Sequence, residues 1–272
     1  MKNLNDIIRP IAAEMQQFEA FFEQTLKADT EPMDSIMRYV LDTQGKRLRP
    51  ILVLLSAKLF GAINELTLRS ATFVEMVHSA TLIHDDVVDD ANQRRNKASV
   101  KAQFGNLSAV LSGDYLLAKA MLLIANDTDI LNEMLRTTAA MSEGELMQNA
   151  SARSLSRSLS LSKGLSKGRT NDAYLDIITR KTAQLMRSCC VTGAMSVDAT
   201  PEQIQQIANF GLNFGILFQL RDDMLDGENT ANAQVLLPEY LEKTLDSLKA
   251  FPASETLEAL RDLTVFCAER EG

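Results

Sequence analysis

The sequence predicts an all-α protein, and three observations lead to that prediction. Nearly every long segment carries apolar residues at three- and four-residue steps, while no stretch alternates convincingly as a strand does. Glycine and proline are scarce, at 12 and 6 of 272 residues, and aromatic residues make up 6%. No linker separates two cores. We therefore expect one all-helical domain over residues 1–272.

Helical periodicity places the elements in chain order. The predicted helices cover residues 4–28, 32–43, 66–90, 106–125, 128–149, 172–196 and 201–226, and an apolar helix follows a break at 44–50. In that helix Pro50 stands at an early position, which proline tolerates. The last helix has a clear start signal, with Thr200 as N-cap, Pro201 in the first turn and Gln203 three residues on. Its sequence is apolar on most sides, so we expect it to be central and buried.

Residues 151–169 differ from the rest of the chain in composition. Their sequence, SARSLSRSLSLSKGLSKGR, is rich in serine, lysine, arginine and glycine. Such a composition is typical of solvated connections. We therefore expect a flexible surface loop between two helices.

Charge and cysteine content narrow the class of function. The formal net charge is −8 and the isoelectric point is near 5.0, which argues against nucleic acid as a partner. The cysteines Cys189, Cys190 and Cys267 have no metal-binding spacing and are typical of thiols in a reducing compartment. The longest apolar run, 51–55, is far too short to span a bilayer. We therefore expect a cytoplasmic protein with no transmembrane segment.

Two aspartate clusters of the same DDxxD pattern follow apolar stretches that lie far apart in the chain. They consist of Asp85, Asp86 and Asp89, and of Asp222, Asp223 and Asp226. On a helix the first and last aspartates of each cluster share a face, so each cluster directs two or three carboxylates one way. Such crowding is unfavourable unless a cation lies among the oxygens. Mg²⁺ fits best, because it binds a few carboxylates and keeps positions free for substrate phosphates.

Basic and polar residues accompany both clusters. Residues 45–49 place three cations at a loop-to-helix junction, where free N–H groups suit phosphate. Arg94 and Arg95 follow the first cluster and offer guanidinium forks to a metal-bound phosphate. His78 lies seven residues before Asp85, two helical turns away on the same face. Other polar groups on apolar helices are Lys181, Thr182 and Gln219.

This combination indicates chemistry on a diphosphate ester with an apolar tail. Metal ions would stabilise the leaving diphosphate, and an apolar helical interior would shield a carbocation from water. The sequence carries no nucleophilic Ser or Cys with a base partner and no glycine-rich phosphate loop after a strand.

Six segments together resemble the trans-isoprenyl diphosphate synthase family, of the medium- to long-chain polyprenyl type. They are GKRLRP at 45–50, EMVHSATLIHDDVVDD at 75–90, RR at 94–95, GDYLLAKA at 113–120, KTA at 181–183 and FQLRDDMLD at 218–226, in the family's order. The resemblance implies a helical bundle around a central cavity, usually in a homodimer. It implies Mg²⁺-dependent head-to-tail condensation of an allylic diphosphate with isopentenyl diphosphate. We also expect transient contact with a membrane surface when the product is released.

The resemblance also assigns roles to single residues. The first cluster, chiefly Asp85 and Asp89, would bind Mg²⁺ that bridges the allylic diphosphate. The second cluster, Asp222 with Asp223 and Asp226, would hold a further Mg²⁺. Direct contacts to that diphosphate would come from Arg94 and Lys181. The isopentenyl diphosphate would be bound by Lys46, Arg49, His78 and Arg95. Thr182 and Gln219 would line the reacting centre and stabilise the cation.

The length of the prenyl product is predicted from the residues that precede the first cluster on the same helix. Ala80 and Thr81 precede Asp85 by five and four positions, so on a helix they lie roughly 6–8 Å deeper. In the family, bulky aromatic residues at these positions resemble a floor that stops growth. Ala80 and Thr81 are small, which predicts products longer than twenty carbons.

The segment after the second cluster departs from the family pattern. Where the family carries a lysine-containing loop, residues 227–235 read GENTANAQV, and the next cation is Lys243. This departure supports a second hypothesis, a regulatory or scaffolding subunit of a heteromeric synthase. Such a subunit has no physical reason to keep two costly carboxylate clusters. A third hypothesis is a class I terpene cyclase, but a cyclase has no second diphosphate that would need Lys46, Arg49, His78 and Arg95.

Overall fold

The computed structural model describes residues 2–43, 45–161, 171–227 and 229–270, with the side chains of all of these except 152–161. The α-helices, numbered in chain order, are α1 (Leu4–Ile7), α2 (Ala12–Leu26), α3 (Glu31–Asp42), α4 (Leu48–Phe60), α5 (Glu65–Val88), α6 (Val100–Phe104), α7 (Asn106–Leu123), α8 (Thr128–Leu161), α9 (Asn171–Ile178), α10 (Gln184–Met195), α11 (Pro201–Asp226), α12 (Thr230–Ser247) and α13 (Glu255–Glu269). Two 3₁₀ turns, Arg9–Ile11 and Leu248–Ala250, and one π turn, Thr179–Ala183, connect some of them. The predicted all-α bundle is confirmed.

The centre of the bundle is a row of packed helices. α5 packs on α4, both pack on α10, and α10 packs on α11. α4 is buried on almost every side because its sequence, LRPILVLLSAKLF, is apolar nearly throughout. α11 is the central helix that its sequence predicts, lying between α10 and α12 and starting with a capping box of Thr200 and Gln203. Both aspartate clusters therefore stand at the ends of helices that the core fixes.

Two helices predicted as continuous are divided. The predicted helix over 4–28 contains the 3₁₀ turn Arg9–Ile11, because Pro10 has no N–H to donate to the preceding turn. The predicted helix over 172–196 contains the π turn Thr179–Ala183. A π turn adds one residue to a helix and is frequent at functional sites. This one carries Lys181 and Thr182.

A short antiparallel hairpin follows the first aspartate cluster, and the periodicity of the sequence does not predict it. Strand β1 (Gln93–Arg94) pairs with strand β2 (Lys97–Ala98). Arg95 and Asn96 form the turn, with φ of 51° and 62°. Positive φ at both residues is typical of two-residue hairpins, because it matches the twist of the strands. Strands of two residues are too short to show alternation, so the sequence gives no signal for them.

The prediction of a loop over 151–169 needs correction. α8 continues to Leu161, so the first part of that segment is helical. Serine, arginine and leucine are all tolerated in a helix, and the first glycine of the segment is Gly164. Residues 162–169 lie outside the described residues, and the loop proposed for them stays a prediction.

The last two helices, α12 and α13, have no counterpart among the helices predicted above. α13 packs against α1, α4, α11 and α12. This packing brings Arg270, the C-cap of α13, to the end of α11. Within the described ranges, no helix combines the length and the apolar character needed to cross a membrane.

Candidate active site

The ends of α5 and α11 face one cavity of about 670 Å³. Of the six clustered aspartates, Asp85 and Asp222 line it. The other predicted site residues at its wall are Arg49, His78, Thr81, Arg94, Arg95, Lys181, Thr182 and Gln219. The fold thus collects on one surface residues that come from α4, α5, the hairpin, the π turn and α11.

Asp85 stands in a crowded group of charges. Burial raises the pKa of Asp85 from 3.8 to about 6, and the negative charge of Glu145 adds to the shift. Glu145 lies on α8 and also lines the cavity, where its Oε2 is 2.5 Å from Nζ of Lys181. The positive charges of Lys181 and Arg94 act in the opposite direction and lower the pKa of Asp85.

The other aspartates of the first cluster have different environments. Asp86 is buried, and its Oδ1 accepts hydrogen bonds from Nε of Arg94 at 3.0 Å and from Nη2 at 2.6 Å. This pair joins the hairpin to α5. Asp89 is exposed at the end of α5.

The second cluster is also divided among three environments. Asp222 accepts a hydrogen bond from Nη2 of Arg270. Burial raises the pKa of Asp222, and the guanidinium of Arg270 opposes that shift. Asp223, the next residue, is buried. Asp226 is exposed at the last turn of α11.

A hydrogen-bonded chain runs from Asp223 to the cavity. Its Oδ1 accepts from Nε2 of Gln219 at 2.7 Å, and its Oδ2 accepts from the hydroxyl of Tyr174 at 2.5 Å. Burial and the bond to Asp223 raise the pKa of Tyr174 above its usual range, so the hydroxyl stays protonated as a donor. At the other end Oγ1 of Thr182 donates to Oε1 of Gln219 at 2.7 Å. The chain fixes which way the Gln219 amide faces.

Two glycines allow neighbouring helices to pack closely against the π turn. A Cβ on Gly144 of α8 would lie 2.8 Å from the backbone N of Lys181. A Cβ on Gly215 of α11 would lie 2.5 Å from Cα of Ala183. Both contacts involve backbone atoms, which cannot move aside as the tip of a side chain does. The absence of these two side chains therefore sets how closely α8 and α11 approach the turn.

A second cavity of about 430 Å³ adjoins the first and is rich in cations. Its wall contains Lys46, and it shares Arg49, His78, Arg95 and Phe218 with the larger cavity. The four residues expected to bind isopentenyl diphosphate are therefore neighbours. The two cavities meet at a common wall; Asp85, Glu145 and Asp222 line only the larger cavity, and Lys46 and Arg270 line only the smaller one.

His78 is arranged to support Arg49. Nη1 of Arg49 stands 2.9 Å from Nε2 of His78. A guanidinium can only donate, so Nε2 accepts and carries no proton. Burial and the charge of Arg49 lower the pKa of His78 well below its usual range, in keeping with a neutral ring. His78 therefore orients Arg49 and adds no positive charge.

The remaining cation of residues 45–49 is held in a buried ion-pair network. Nη1 of Arg47 stands 2.6 Å from Oε1 of Glu75, and Nε stands 3.2 Å from Oε1 of Glu19. Its guanidinium also lies 4.4 Å from the ring centroid of Phe22. Arg47 thereby joins α2 and α5 to the start of α4, beside the cavity that holds Lys46 and Arg49.

Ala80 and Thr81 do not share one environment. Thr81 lines the large cavity, together with Met141 and Leu146 of α8. Ala80 is fully buried in the hydrophobic core and is absent from the described cavity walls. Neighbouring helical residues point about 100° apart, so one of the two faces the core when the other faces the cavity. Only Thr81 lines the described cavity, and the expectation that these two small residues leave room for a growing chain stays a prediction.

The cavity residues suit Mg²⁺ chemically, although their carboxylates do not converge on one metal position. No three His, Cys, Asp or Glu side chains within the described part of the chain converge on one metal position. Asp86 and Asp222 are paired with arginines, and Asp223 is engaged in the hydrogen-bonded chain. Asp85 and Asp222 nonetheless offer hard carboxylate oxygens, and burial disfavours the ionised form of both side chains. A divalent cation would remove that penalty.

Residues 30–235 match the family model described as polyprenyl synthetase. The chain belongs to the polyprenyl synthetase family. The family identified from the sequence motifs is therefore confirmed, and an enzyme of the prenyl diphosphate synthase class is confirmed at the level of the family.

Individual relatives agree with this assignment. The all-trans-nonaprenyl-diphosphate synthase (geranyl-diphosphate specific) of Rhodobacter capsulatus is 34% identical over 230 residues, or 84% of this chain and 67% of that protein. The octaprenyl diphosphate synthase of Escherichia coli (strain K12) is 30% identical over 226 residues, or 82% of this chain and 66% of that protein. The matches therefore span about two thirds of these relatives. The crystal structure of a polyprenyl synthase from Caulobacter crescentus CB15, complexed with calcium and isoprenyl diphosphate, superposes with a TM-score of 0.85 at 25% identity and covers 99% of this chain and 98% of that one.

Three residues around the site of this polyprenyl synthetase are not predicted from the sequence. Glu145 is a charged residue on the cavity side of α8, and the only signal for it is its place in the otherwise apolar run 144–147. Tyr174 has no local motif, and its role depends on a contact with Asp223 across the bundle. Arg270 stands far from Asp222 in the sequence, and only the packing of α13 brings them together.

Proposed function

We propose that the chain condenses an allylic diphosphate with isopentenyl diphosphate, head to tail, to give an all-trans polyprenyl diphosphate of medium or long chain. The observation that carries the proposal is the pair of adjoining cavities, since a reaction between two diphosphates needs two anion sites with a common wall. The carboxylate-lined cavity suits a diphosphate bound through metal ions, and the cationic cavity suits one bound directly. A terpene cyclase would need only the first.

Mg²⁺ is the proposed cofactor, held by Asp85 and Asp222 with the exposed Asp89 and Asp226 of the same clusters. When bound, the metal stabilises negative charge on a leaving diphosphate. Lys181 and Arg94, both at the cavity wall, bind the allylic diphosphate. The buried Asp86 and Asp223, first considered as metal ligands, act instead by positioning Arg94 and Gln219.

The chain's own groups handle the second substrate and the cation. Lys46, Arg49 and Arg95 bind the diphosphate of isopentenyl diphosphate, and His78 keeps Arg49 in place. The oxygens of Thr182 and Gln219 lie at the larger cavity, fixed by their mutual hydrogen bond, and face the carbon that becomes electron-poor. The ring of Phe218 borders both cavities and limits the access of water.

Product analysis tests the proposal. The purified chain is incubated with Mg²⁺, farnesyl diphosphate and labelled isopentenyl diphosphate, and the dephosphorylated products are sized by chromatography. A ladder of prenyl alcohols supports it, hydrocarbons indicate a cyclase, and turnover only after addition of another subunit indicates the regulatory alternative. Asp85→Asn should lower turnover at least about 100-fold, as when charge stabilisation of a leaving group is lost. The exposed Asp198, replaced by Asn, serves as the matched control.

We propose that products exceed twenty carbons and that Thr81, not Ala80, faces the growing chain. Thr81→Phe should shorten the products, because an added ring fills space beside Met141 and Leu146. Ala80→Phe should instead lower the melting temperature, because it overpacks the core. If Thr81→Phe leaves the ladder unchanged, the tunnel runs elsewhere.

We propose a homodimer that uses the apolar face of α7. Leu107, Leu111 and Leu122 are 74%, 52% and 75% exposed and recur at spacings that share one face of the helix. The neighbouring α5 adds Val88, which is 61% exposed. A second copy of the chain would cover these side chains. Light scattering should give a dimer for the wild type and a monomer for Leu111→Arg, whereas a monomeric wild type that binds lipid vesicles would assign the face to membrane contact during product release.

We further infer a cytoplasmic location from the acidic net charge and from cysteines that stay unpaired. Cys189, Cys190 and Cys267 are free thiols buried in the structure. Cell fractionation with the tagged full chain tests the location.

A further inference from the structure

Asp223 is a buried carboxylate whose partners differ from those of its neighbours at the site. Asp222 and Asp86 each face an arginine. None of the ion pairs among the described residues involves Asp223, which is 6% exposed. Its two oxygens depend instead on two uncharged donors, the hydroxyl of Tyr174 and the amide of Gln219. A buried carboxylate requires such donors, because it has lost most of its contact with water.

Tyr174 lies where it can influence the cavity only through Asp223. It belongs to α9 and takes no part in the walls of the described cavities. Its side chain is fully buried in a hydrophobic cluster that includes Ile178 of α9 and Leu220 of α11. Packing in this cluster fixes the ring, so its hydroxyl is held 2.5 Å from Oδ2 of Asp223. Tyr174 therefore touches no substrate, and any effect on the reaction must pass through Asp223.

The fixed carboxylate determines the orientation of the Gln219 amide. An ionised carboxylate only accepts hydrogen bonds, so Gln219 must direct its NH₂ group towards Asp223. The carbonyl oxygen of Gln219 consequently points the other way and accepts from Oγ1 of Thr182. Thr182 uses its only hydroxyl proton in that bond, which leaves its lone pairs for the cavity. Both side chains line the large cavity with their electron-rich ends.

The reverse orientation of the amide would have the opposite effect on a cation. It would place an NH₂ group, which carries partial positive charge, where the carbonyl oxygen of Gln219 now lies. Such a group repels a carbocation and would oppose the step that the carbonyl assists. The two ends of an amide are similar in shape, so hydrogen bonding and not packing selects between them. The selection depends on Asp223 keeping its position.

We propose that Tyr174 is a positioning residue for the reacting centre: its hydroxyl holds Asp223, and Asp223 keeps the Gln219 carbonyl directed at the carbon that becomes electron-poor. The assignment deepens the proposed function and rests on it. Without the Tyr174 hydroxyl, the Asp223 carboxylate turns more freely and the Gln219 amide populates both orientations. The effect is confined to the cationic stage of the reaction, because this hydrogen-bonded chain supplies no group that is proposed to bind a diphosphate.

Two unreactive analogues of the allylic diphosphate test the assignment without turnover. One carries a protonated amine in place of the carbon that becomes cationic, and the other is its uncharged isostere with carbon at that position. In calorimetric titrations with Mg²⁺, Tyr174→Phe should raise the Kd of the ammonium analogue about 10-fold and leave that of the isostere unchanged. Tyr240→Phe removes a hydroxyl from the same hydrophobic cluster but outside the hydrogen-bonded chain, and should change neither Kd.

Steady-state kinetics give a second readout. Tyr174→Phe should lower kcat about 10- to 100-fold and keep the KM of both substrates within about 3-fold, since the lost interaction arises only in the transition state. The effect on kcat should disappear in a chain that already carries Gln219→Leu, because that chain has no carbonyl to orient. Circular dichroism checks folding. If Tyr174→Phe does not fold, Asp223→Asn replaces it with the same expected pattern, because its amide both donates and accepts.

The outcomes separate this inference from the proposed function. If the wild type forms polyprenyl products but Tyr174→Phe binds both analogues as the wild type does, Tyr174 only supports the fold and the inference fails. It also fails if both analogues lose affinity equally, or if Tyr174→Phe lowers kcat by the same factor with and without Gln219→Leu. A wild type that binds neither analogue and forms no product overturns the proposed function as well.

Discussion

Replacing Asp85 by Asn should stabilise the metal-free protein at neutral pH. The folded protein holds a proton on Asp85 more tightly than the unfolded chain does, since burial and Glu145 raise its pKa from 3.8 to about 6. Ionisation therefore costs free energy in the folded state, and the free energy of unfolding falls as pH rises through that window. The shift corresponds to about 3 kcal/mol, which solvent screening of this partly exposed group reduces to about 1–2 kcal/mol. Asn carries no charge and avoids the cost.

The measurement is thermal unfolding in a chelator between pH 4.5 and 7.5. At pH 7.5 the melting temperature of Asp85→Asn should exceed that of the wild type by about 2–6 °C, and the difference should shrink by more than half at pH 4.5. Added Mg²⁺ should raise the melting temperature of the wild type more than that of the variant, because the metal binds the carboxylate. A variant that melts below the wild type at pH 7.5, or a difference independent of pH, would refute this account of Asp85.

Three further substitutions probe the supports of the site. Tyr174→Phe leaves one oxygen of the buried Asp223 without its donor and should lower the free energy of unfolding by about 1–3 kcal/mol in urea titrations; no change would mean that water replaces the hydroxyl. Arg47→Gln leaves Glu75 without its buried partner and should lower the free energy of unfolding by about 3–5 kcal/mol in the same titrations. Adding Glu75→Gln to that variant should recover part of the lost stability. Gly215→Ala should reduce turnover with little loss of helical circular dichroism, because the added Cβ displaces the π turn; full activity would show that the turn tolerates the shift.

The sequence was most informative where chemistry and periodicity coincide. The apolar stretch before each DDxxD cluster predicts helices ending in carboxylates, and α5 and α11 end there. Asp85 and Asp222 do face one cavity, as expected for paired clusters. The order of the motifs also identifies the family, since the motifs extend from residue 45 to residue 226 and do not form one local pattern.

The sequence was least informative about which way individual side chains point. Asp86 and Asp223 belong to the same motifs as Asp85 and Asp222, yet partners on other elements hold them away from the cavity. Such partners come from distant parts of the chain, and periodicity within one helix cannot reveal them. The place of Arg270 has the same origin, because it depends on how α13 packs against α11.

The π turn has a consequence for the helical phase of this region. Its extra residue offsets α9 from α10 by one position, or about 100° of rotation about the helix axis. Removing one residue from Thr179–Ala183 would restore a regular α-helix and turn Tyr174 away from Asp223, with every other residue unchanged. The hydrogen-bonded chain that runs from Tyr174 and Asp223 to the cavity therefore depends on the number of residues in this turn as well as on their identity. Among relatives, insertions and deletions here should be far rarer than substitutions.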